Sequence, residues 1–237
     1  MKIEVCNSYD ELSHRAKEIV VKELEKNKKL LLCTATGGSP TKTYELLGKE
    51  YQKHPKLFSK MRVLKLDEWG GIPMDHPGTC ESYLQTHLIQ PLRIPDTRYY
   101  GFRSNSENPV EECLRIQDKL KQEGPIDLCI LGLGMNGHLA FNEPARFLQA
   151  NCHLAQLSVS SLQHTMAAEM EVKPTYGLTL GMADILHSKK IIVLINGTKK
   201  RLIVRKLLSK QIKSTLPASF LWLHPNVNCF IESDVIE

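Results

Sequence analysis

Short apolar runs alternate with longer segments of helical period along this chain, and that alternation leaves few folds open. The runs KIEV (2–5), KLLLC (29–33), RVLKL (62–66), DLCILGL (127–133), HLAQLSV (153–159), KIIVLIN (190–196) and ASFLWLH (218–224) are rich in β-branched residues or leucine and read as strands. Residues 9–27, 40–53, 80–89, 108–123, 161–170 and 197–209 lie between them and read as helices. Ser8 is the expected N-cap of the first helix, with Glu11 three residues on, and Leu12, Ala16, Ile19, Val20 and Leu24 share one of its faces. This order specifies a three-layer α/β sandwich, a mostly parallel Rossmann-like sheet with helices on both faces. The 237 residues, 42% of them hydrophobic, contain no repeat, low-complexity tract or linker, so residues 1–237 read as a single domain.

Ligands of such sheets bind beyond the carboxyl ends of the strands, which directs attention to three loops. The first, TATGGSPTKTY (34–44), has Gly37 and Gly38 for close backbone approach and Pro40 to open a helix. Backbone N–H groups at that helix start, with Thr36, Ser39 and Lys42 as side-chain donors, form an anion site. The spacing is neither that of a P-loop nor that of a dinucleotide fingerprint. The second, DEWGGIPMDHPGTCESYL (67–84), places two acids at the mouth of a buried strand. Asp67 is the candidate base, and alternation turns Glu68 elsewhere, into a structural hydrogen bond. The third, LGLGMNGHLAFNEP (131–144), delivers His138 after a glycine turn, with Glu143 five residues on to orient its ring for proton transfer. Taken singly, an ordinary Gly-Gly turn, a capping aspartate and a structural histidine account for the same residues. No HExxH or Cys/His cluster supports a metal at Asp67, His138 and Glu143.

The formal net charge of +5 is mild, and the basic residues are scattered among acids, which argues against nucleic-acid or membrane binding and suits a small anionic substrate. Seven cysteines without a CxxC pair point to core packing in a reducing compartment. The start MKIEVCNSYD lacks a signal-peptide stretch, so the expected location is cytoplasmic. Homo-oligomerisation stays open.

Together, ATGGSPTKTY, LDEWGGIP with HPGTCESYL, and LGLGMNGHLAFNEP resemble the glucosamine-6-phosphate deaminase family of sugar-phosphate isomerase/deaminases, from about residue 30 onward. GTCESYL, HLIQPL and PASFLWLH resemble the galactosamine-6-phosphate deaminase/isomerase branch more than the glucosamine enzymes. The resemblance implies that Gly37, Gly38, Ser39 and Lys200 hold a sugar phosphate, that Asp67 moves a proton between C2 and C1, that His138 assists ring opening, and that Glu143 orients His138. It implies no cofactor, and a phosphorylated 2-amino-2-deoxyhexose as partner and substrate, converted to a ketohexose 6-phosphate and ammonia.

Two departures stand out. Asn136 occupies the position, two before His138, where glucosamine enzymes usually have aspartate, which removes one negative charge beside the ring. The segment SVSSLQHTM lacks the arginine that family members often carry there. The chain also ends shortly after FIESDVIE, without the C-terminal extension of the allosteric enzymes. A 6-phosphogluconolactonase is disfavoured by NEP and LDEW. A sugar-phosphate-sensing regulator is disfavoured because only about 30 residues precede the first loop. A simple aldose/ketose isomerase that releases no ammonia is harder to set aside.

Overall fold

The computed structural model describes residues 1–162, 165–168 and 170–236. Strands β1 (Lys2–Cys6), β2 (Leu31–Thr34), β3 (Arg62–Lys65), β4 (Asp67–Gly70), β5 (Tyr99–Tyr100), β6 (Leu128–Gly132), β7 (His153–Ala155), β8 (Tyr176–Thr179), β9 (Ile191–Ile195) and β10 (Val227–Glu232) form two sheets. The larger has the order β1-β10-β9-β6-β2-β3-β5 and all its pairs are parallel. Helices α1 (Tyr9–Lys26), α2 (Gly38–Lys53), α3 (Cys80–Leu84), α4 (Pro109–Glu123), α5 (Val159–Leu162), α6 (Thr165–Ala168), α7 (Met182–Leu186) and α8 (Arg201–Leu208) connect the strands.

Strand alternation sorts the core into two layers. Leu30, Leu32, Leu128, Ile130, Ile192 and Leu194 face α1 and α2, whereas Leu31, Cys33, Cys129, Leu131, Ile191 and Val193 face α4, α7 and α8. The expected three-layer sandwich is therefore the one observed. Ser8 caps α1 by accepting from Glu11 N (3.2 Å), while the Glu11 carboxylate reaches back to Asn7 instead of to the cap itself. On that helix Leu12, Ala16, Val20 and Leu24 are buried and Ile19 half-buried. All seven cysteines are free, six of them buried. Among the described residues no helix is long and apolar enough to cross a membrane.

Three expectations need correction. ASFLWLH is not a strand: Pro217–Leu223 winds as a 3-10 turn, and the Trp222 indole N–H donates to Leu207 O (2.8 Å) at the end of α8. The strand beside β9 is the following segment, β10. An apolar run does not by itself distinguish strand from buried turn, and here contact with α8 decides. Secondly, HLAQLSV contributes only the three residues of β7, which join β8 and β4 in a small antiparallel sheet, order β4-β8-β7. Thirdly, the helix expected at 80–89 passes from α3 into a π-turn over Gln85–Ile89. The helix expected at 161–170 is seen as α5 and α6, with Gln163, His164 and Glu169 outside the described residues.

Because β2 runs to β3 on one side and the chain later returns to β6 on the other, strand order reverses at β2. The crevice between β2 and β6 is thus the topological switch point, and the loops after β9, β6, β2 and β3 open side by side along one sheet edge.

Candidate active site

The loop after β2 enters α2 through Gly37, whose φ of +96° favours glycine. Its carbonyls are tied away from the N–H groups: Tyr83 OH donates to Gly37 O (2.9 Å) and Tyr9 OH to Gly38 O (2.6 Å). What remains at the start of α2 is a helix N-terminus without a side-chain cap, where Lys42 N donates to Tyr9 OH (3.0 Å). Ser39 Oγ donates to Asn196 Oδ1 (2.6 Å) and accepts from Lys200 Nζ (3.3 Å). Asn196 ends β9, and Lys200 closes the 3-10 turn Thr198–Lys200 that leads into α8. Desolvation lowers the Lys200 ammonium to about 8. No carboxylate among the described residues pairs with it. A half-buried cation beside a hydroxyl and a helix N-terminus is an anion site in waiting. Thr36 instead donates to Cys80 Sγ (3.3 Å) at the foot of this loop. Lys42 does not join the cradle: its ammonium pairs with Asp10 on the exposed start of α1, where that carboxylate draws it out toward solvent.

Asp67 opens β4 and is buried, and its Oδ1 has no hydrogen-bond partner among the described residues. Desolvation, reinforced by the Glu68 charge and opposed by Lys65, raises its carboxyl to about 7. A carboxylate held there is half-ionised near neutral pH, the condition for a base that must both take and return a proton. Glu68 points elsewhere, as alternation requires, accepting from Trp69 N, Cys80 N and Glu81 N, each at 2.8 Å. Two of these are the first N–H groups of α3, so Glu68 caps that helix.

The third loop is fixed to the same place through β8. Thr179 stands opposite Asp67 in the β4–β8 ladder, and its hydroxyl accepts from Phe141 N (3.3 Å). Asn142 donates to Leu139 O and Leu180 O, pinning the turn in which Ala140 adopts φ +54°. His138 Nδ1 lies 3.3 Å from Glu143 Oε2. Asn136 Nδ2 donates to that same oxygen (2.8 Å), and Asn136 Oδ1 accepts from His138 N (3.1 Å). Ser161 Oγ donates to Glu143 Oε1 and Ser158 N approaches it at 3.4 Å. Desolvation would raise Glu143, but the hydrogen bond and charge of His138 with the bonds from Ser161 and Asn136 hold it near 2. The carboxylate stays ionised and fixes Nδ1, leaving Nε2 for proton transfer. A Cβ on Gly134 would stand 2.3 Å from His138 Nε2 and Cδ2. Gly134→Ala is expected to displace the ring and lower kcat about 10-fold or more with little change in KM, checked by steady-state kinetics.

Tyr9, Tyr83, Asn196, Ser158 and Ser161 carry no motif signal, because they reach the site from four separate segments, Ser158 and Ser161 together at the start of α5; only their proximity in the fold reveals them.

A buried carboxylate with an unpartnered oxygen, an imidazole held by Glu143, and a lysine–serine pair at a helix start are an arrangement suited to proton-transfer chemistry on an anionic ligand in an α/β enzyme. The chain belongs to the family of glucosamine-6-phosphate isomerases/6-phosphogluconolactonase, whose sequence pattern matches residues 7–229. It is 37% identical over 231 residues to the Escherichia coli (strain K12) protein named "Putative deaminase AgaI", covering 98% of this chain and 92% of that protein. It is 32% identical to the glucosamine-6-phosphate deaminase of Alkaliphilus metalliredigens (strain QYMF), covering 99% and 98%. A solved structure of a monomeric glucosamine-6-phosphate deaminase superposes with a TM-score of 0.94 at 32% identity, over 99% of this chain and 98% of that one. The 6-phosphogluconolactonase of Trypanosoma cruzi, at 20% identity and a TM-score of 0.80 over 99% and 95%, shares the fold.

Proposed function

We propose that this chain is an isomerising deaminase of a 2-amino-2-deoxyhexose 6-phosphate, galactosamine 6-phosphate or glucosamine 6-phosphate, forming tagatose 6-phosphate or fructose 6-phosphate and ammonia. The observation that carries this reading is the buried Asp67, poised near neutrality with an unclaimed oxygen, on the same sheet edge as the Lys200–Ser39 cradle. His138 moves a proton between the C1 hydroxyl and the ring oxygen, which opens the ring. Asp67 then takes the C2 proton and returns it at C1. The enolamine formed between these transfers becomes an imine at C2, water adds there, and ammonia leaves with the ketose as product. The amine and the carbonyl serve as their own electron sink, so the scheme calls on no cofactor.

The deciding experiment measures ammonia released from galactosamine 6-phosphate and glucosamine 6-phosphate side by side. Conversion of a 2-hydroxy aldose 6-phosphate to its ketose, with no ammonia from either amino sugar, leaves a simple isomerase, and hydrolysis of 6-phosphogluconolactone in its place leaves a lactonase.

Lys200→Ala should raise KM about 10- to 100-fold with a smaller change in kcat, because one charge-assisted contact is worth roughly 1.5–3 kcal/mol and the phosphate is held alike before and during reaction. The same lysine sets a pH dependence. Its ammonium is lost as pH rises through about 8, so KM of the parent should climb above that pH while Lys200→Ala shows no such rise. A KM unchanged by the substitution excludes Lys200 as a phosphate ligand.

A further inference from the structure

Lys65 is the last residue of β3 and is wholly buried. Its ammonium donates to Glu68 Oε2 (2.7 Å) and to Glu81 Oε2 (2.7 Å). Tyr99 OH and Gln85 Nε2 complete the Glu81 carboxylate at 2.8 and 2.9 Å. Gly101 leaves the room this requires, since a Cβ there would stand 2.9 Å from Lys65 Cε. Burying one cation with two acids is costly, and a sheet of this kind is ordinarily more stable with an apolar residue at such a position. The proton-transfer scheme uses none of these groups, yet Lys65 and Glu68 lie two residues and one residue from Asp67 along the chain.

We propose that Lys65 is a positioning residue for Asp67: by closing an ion pair on Glu68 and Glu81 it holds the second acid of the Asp-Glu pair against the α3 N-terminus, leaving Asp67 to exchange protons with the substrate. The proposal rests on the isomerising-deaminase reading. Geometry supports it directly. Glu68 spends its oxygens on three backbone N–H groups and on Lys65, so it is both turned away and fully occupied. The titratable groups around Asp67 are Glu68 on β4, Lys65 on β3, Cys33 on β2, Tyr44 on α2 and Cys80 on α3. Burial keeps the two thiols and the phenol neutral, which leaves Glu68 and Lys65 as the charges that act on the base, in opposite senses.

Opposite senses give a test that a merely structural role would not pass. Glu68→Gln removes the negative charge and keeps two of the four acceptor contacts, its amide NH2 facing the other two donors, so the acid limb of kcat/KM should move down by about one pH unit. Lys65→Met removes the cation and should move the limb up by about as much. The double variant Lys65→Met/Glu68→Gln should return toward the parent. Should Lys65→Met alone fail to fold, Glu68→Gln and the double variant carry the test. The carboxyl carbon resonance of Asp67 in 13C-aspartate-labelled protein, identified by its loss in Asp67→Asn, should report the same shifts without turnover. A resonance that titrates at the parent pH in Glu68→Gln overturns the proposal, as does a resonance that moves while the limb of kcat/KM stays in place. A parent that releases no ammonia from either sugar overturns the underlying reading instead, whatever the resonance does.

Discussion

Asp67→Asn is expected to remove about 10²- to 10⁴-fold of turnover and, at neutral and alkaline pH, to make the folded protein more stable. Both effects come from one carboxyl group. The amide keeps the shape of the side chain but accepts no proton, so the C2–C1 transfer stops while the phosphate contacts persist; kcat should fall and KM should barely change. The stability effect follows from linkage. Asp67 sits near 7 in the folded protein and near 3.9 in an unfolded chain. Below about pH 4 the group is protonated in both states and costs nothing differential. As pH rises from there stability is lost, and the loss is complete above about 7. At about 1.4 kcal/mol per unit, the full loss is on the order of 4 kcal/mol, less whatever a buried amide without partners costs in its place. Unfolding free energies of parent and variant should therefore converge at acid pH and separate through pH 4–7, with Asp67→Asn the more stable. Parallel curves would show that Asp67 is not desolvated and would remove the basis for treating it as a base matched to neutral pH. In the parent, the acid limb of kcat/KM should fall below about 7, where the carboxylate is lost.

Such a trade of stability for chemistry explains which parts of this molecule the sequence disclosed. The β2, β6 and β9 strands were legible because the large sheet buries both of their faces, and that burial writes near-continuous apolar runs. The site loops were legible because they follow those strands: Gly37, Asp67 and His138 each come within a few residues of a strand end. The turning of Glu68 away from Asp67 into structural hydrogen bonds also followed from alternation. The small sheet was not legible. Its strands are three or four residues long, DEWG and YGLT carry glycine, HLA is only the first part of the run HLAQLSV, and the Asp67–Gly70 strand is held by an antiparallel partner more than a hundred residues on. Nor was Lys65: a lysine ending an apolar strand normally reaches solvent, and Glu81, which holds it together with Glu68, comes from another element and is itself braced by Tyr99. Lys42 failed in the converse way. Its place in the phosphate loop suggested a donor, but Asp10 on a neighbouring helix claims it.

His138→Asn is the second substitution with a large expected effect, about 10²- to 10⁴-fold in kcat/KM on the cyclic substrate. The loss should be specific to ring opening. A sugar phosphate already in the open-chain form bypasses the step His138 serves, so the variant should lose far less activity on whatever open-chain fraction is supplied by rapid mixing. An equal loss on both forms would move His138 from ring opening to the later proton transfers. The neighbouring Asn136 then shows what keeps the pair in order. Its Nδ2 donates to the Glu143 oxygen that also faces His138 Nδ1, so Asn136→Asp does more than add a charge. It replaces a donor with a second carboxylate at hydrogen-bond distance from the first, and the two acids are tolerable only with a proton between them. The proton affinity of the cluster as a whole must rise. The acidic-to-neutral part of the kcat/KM profile should move to higher pH by about one unit, with a change in the galactosamine/glucosamine ratio and the fold retained. If profile and ratio both match the parent, the Asn136–Glu143 hydrogen bond lies outside the proton-transfer network, and Glu143 must be held for His138 by Ser158 and Ser161 alone.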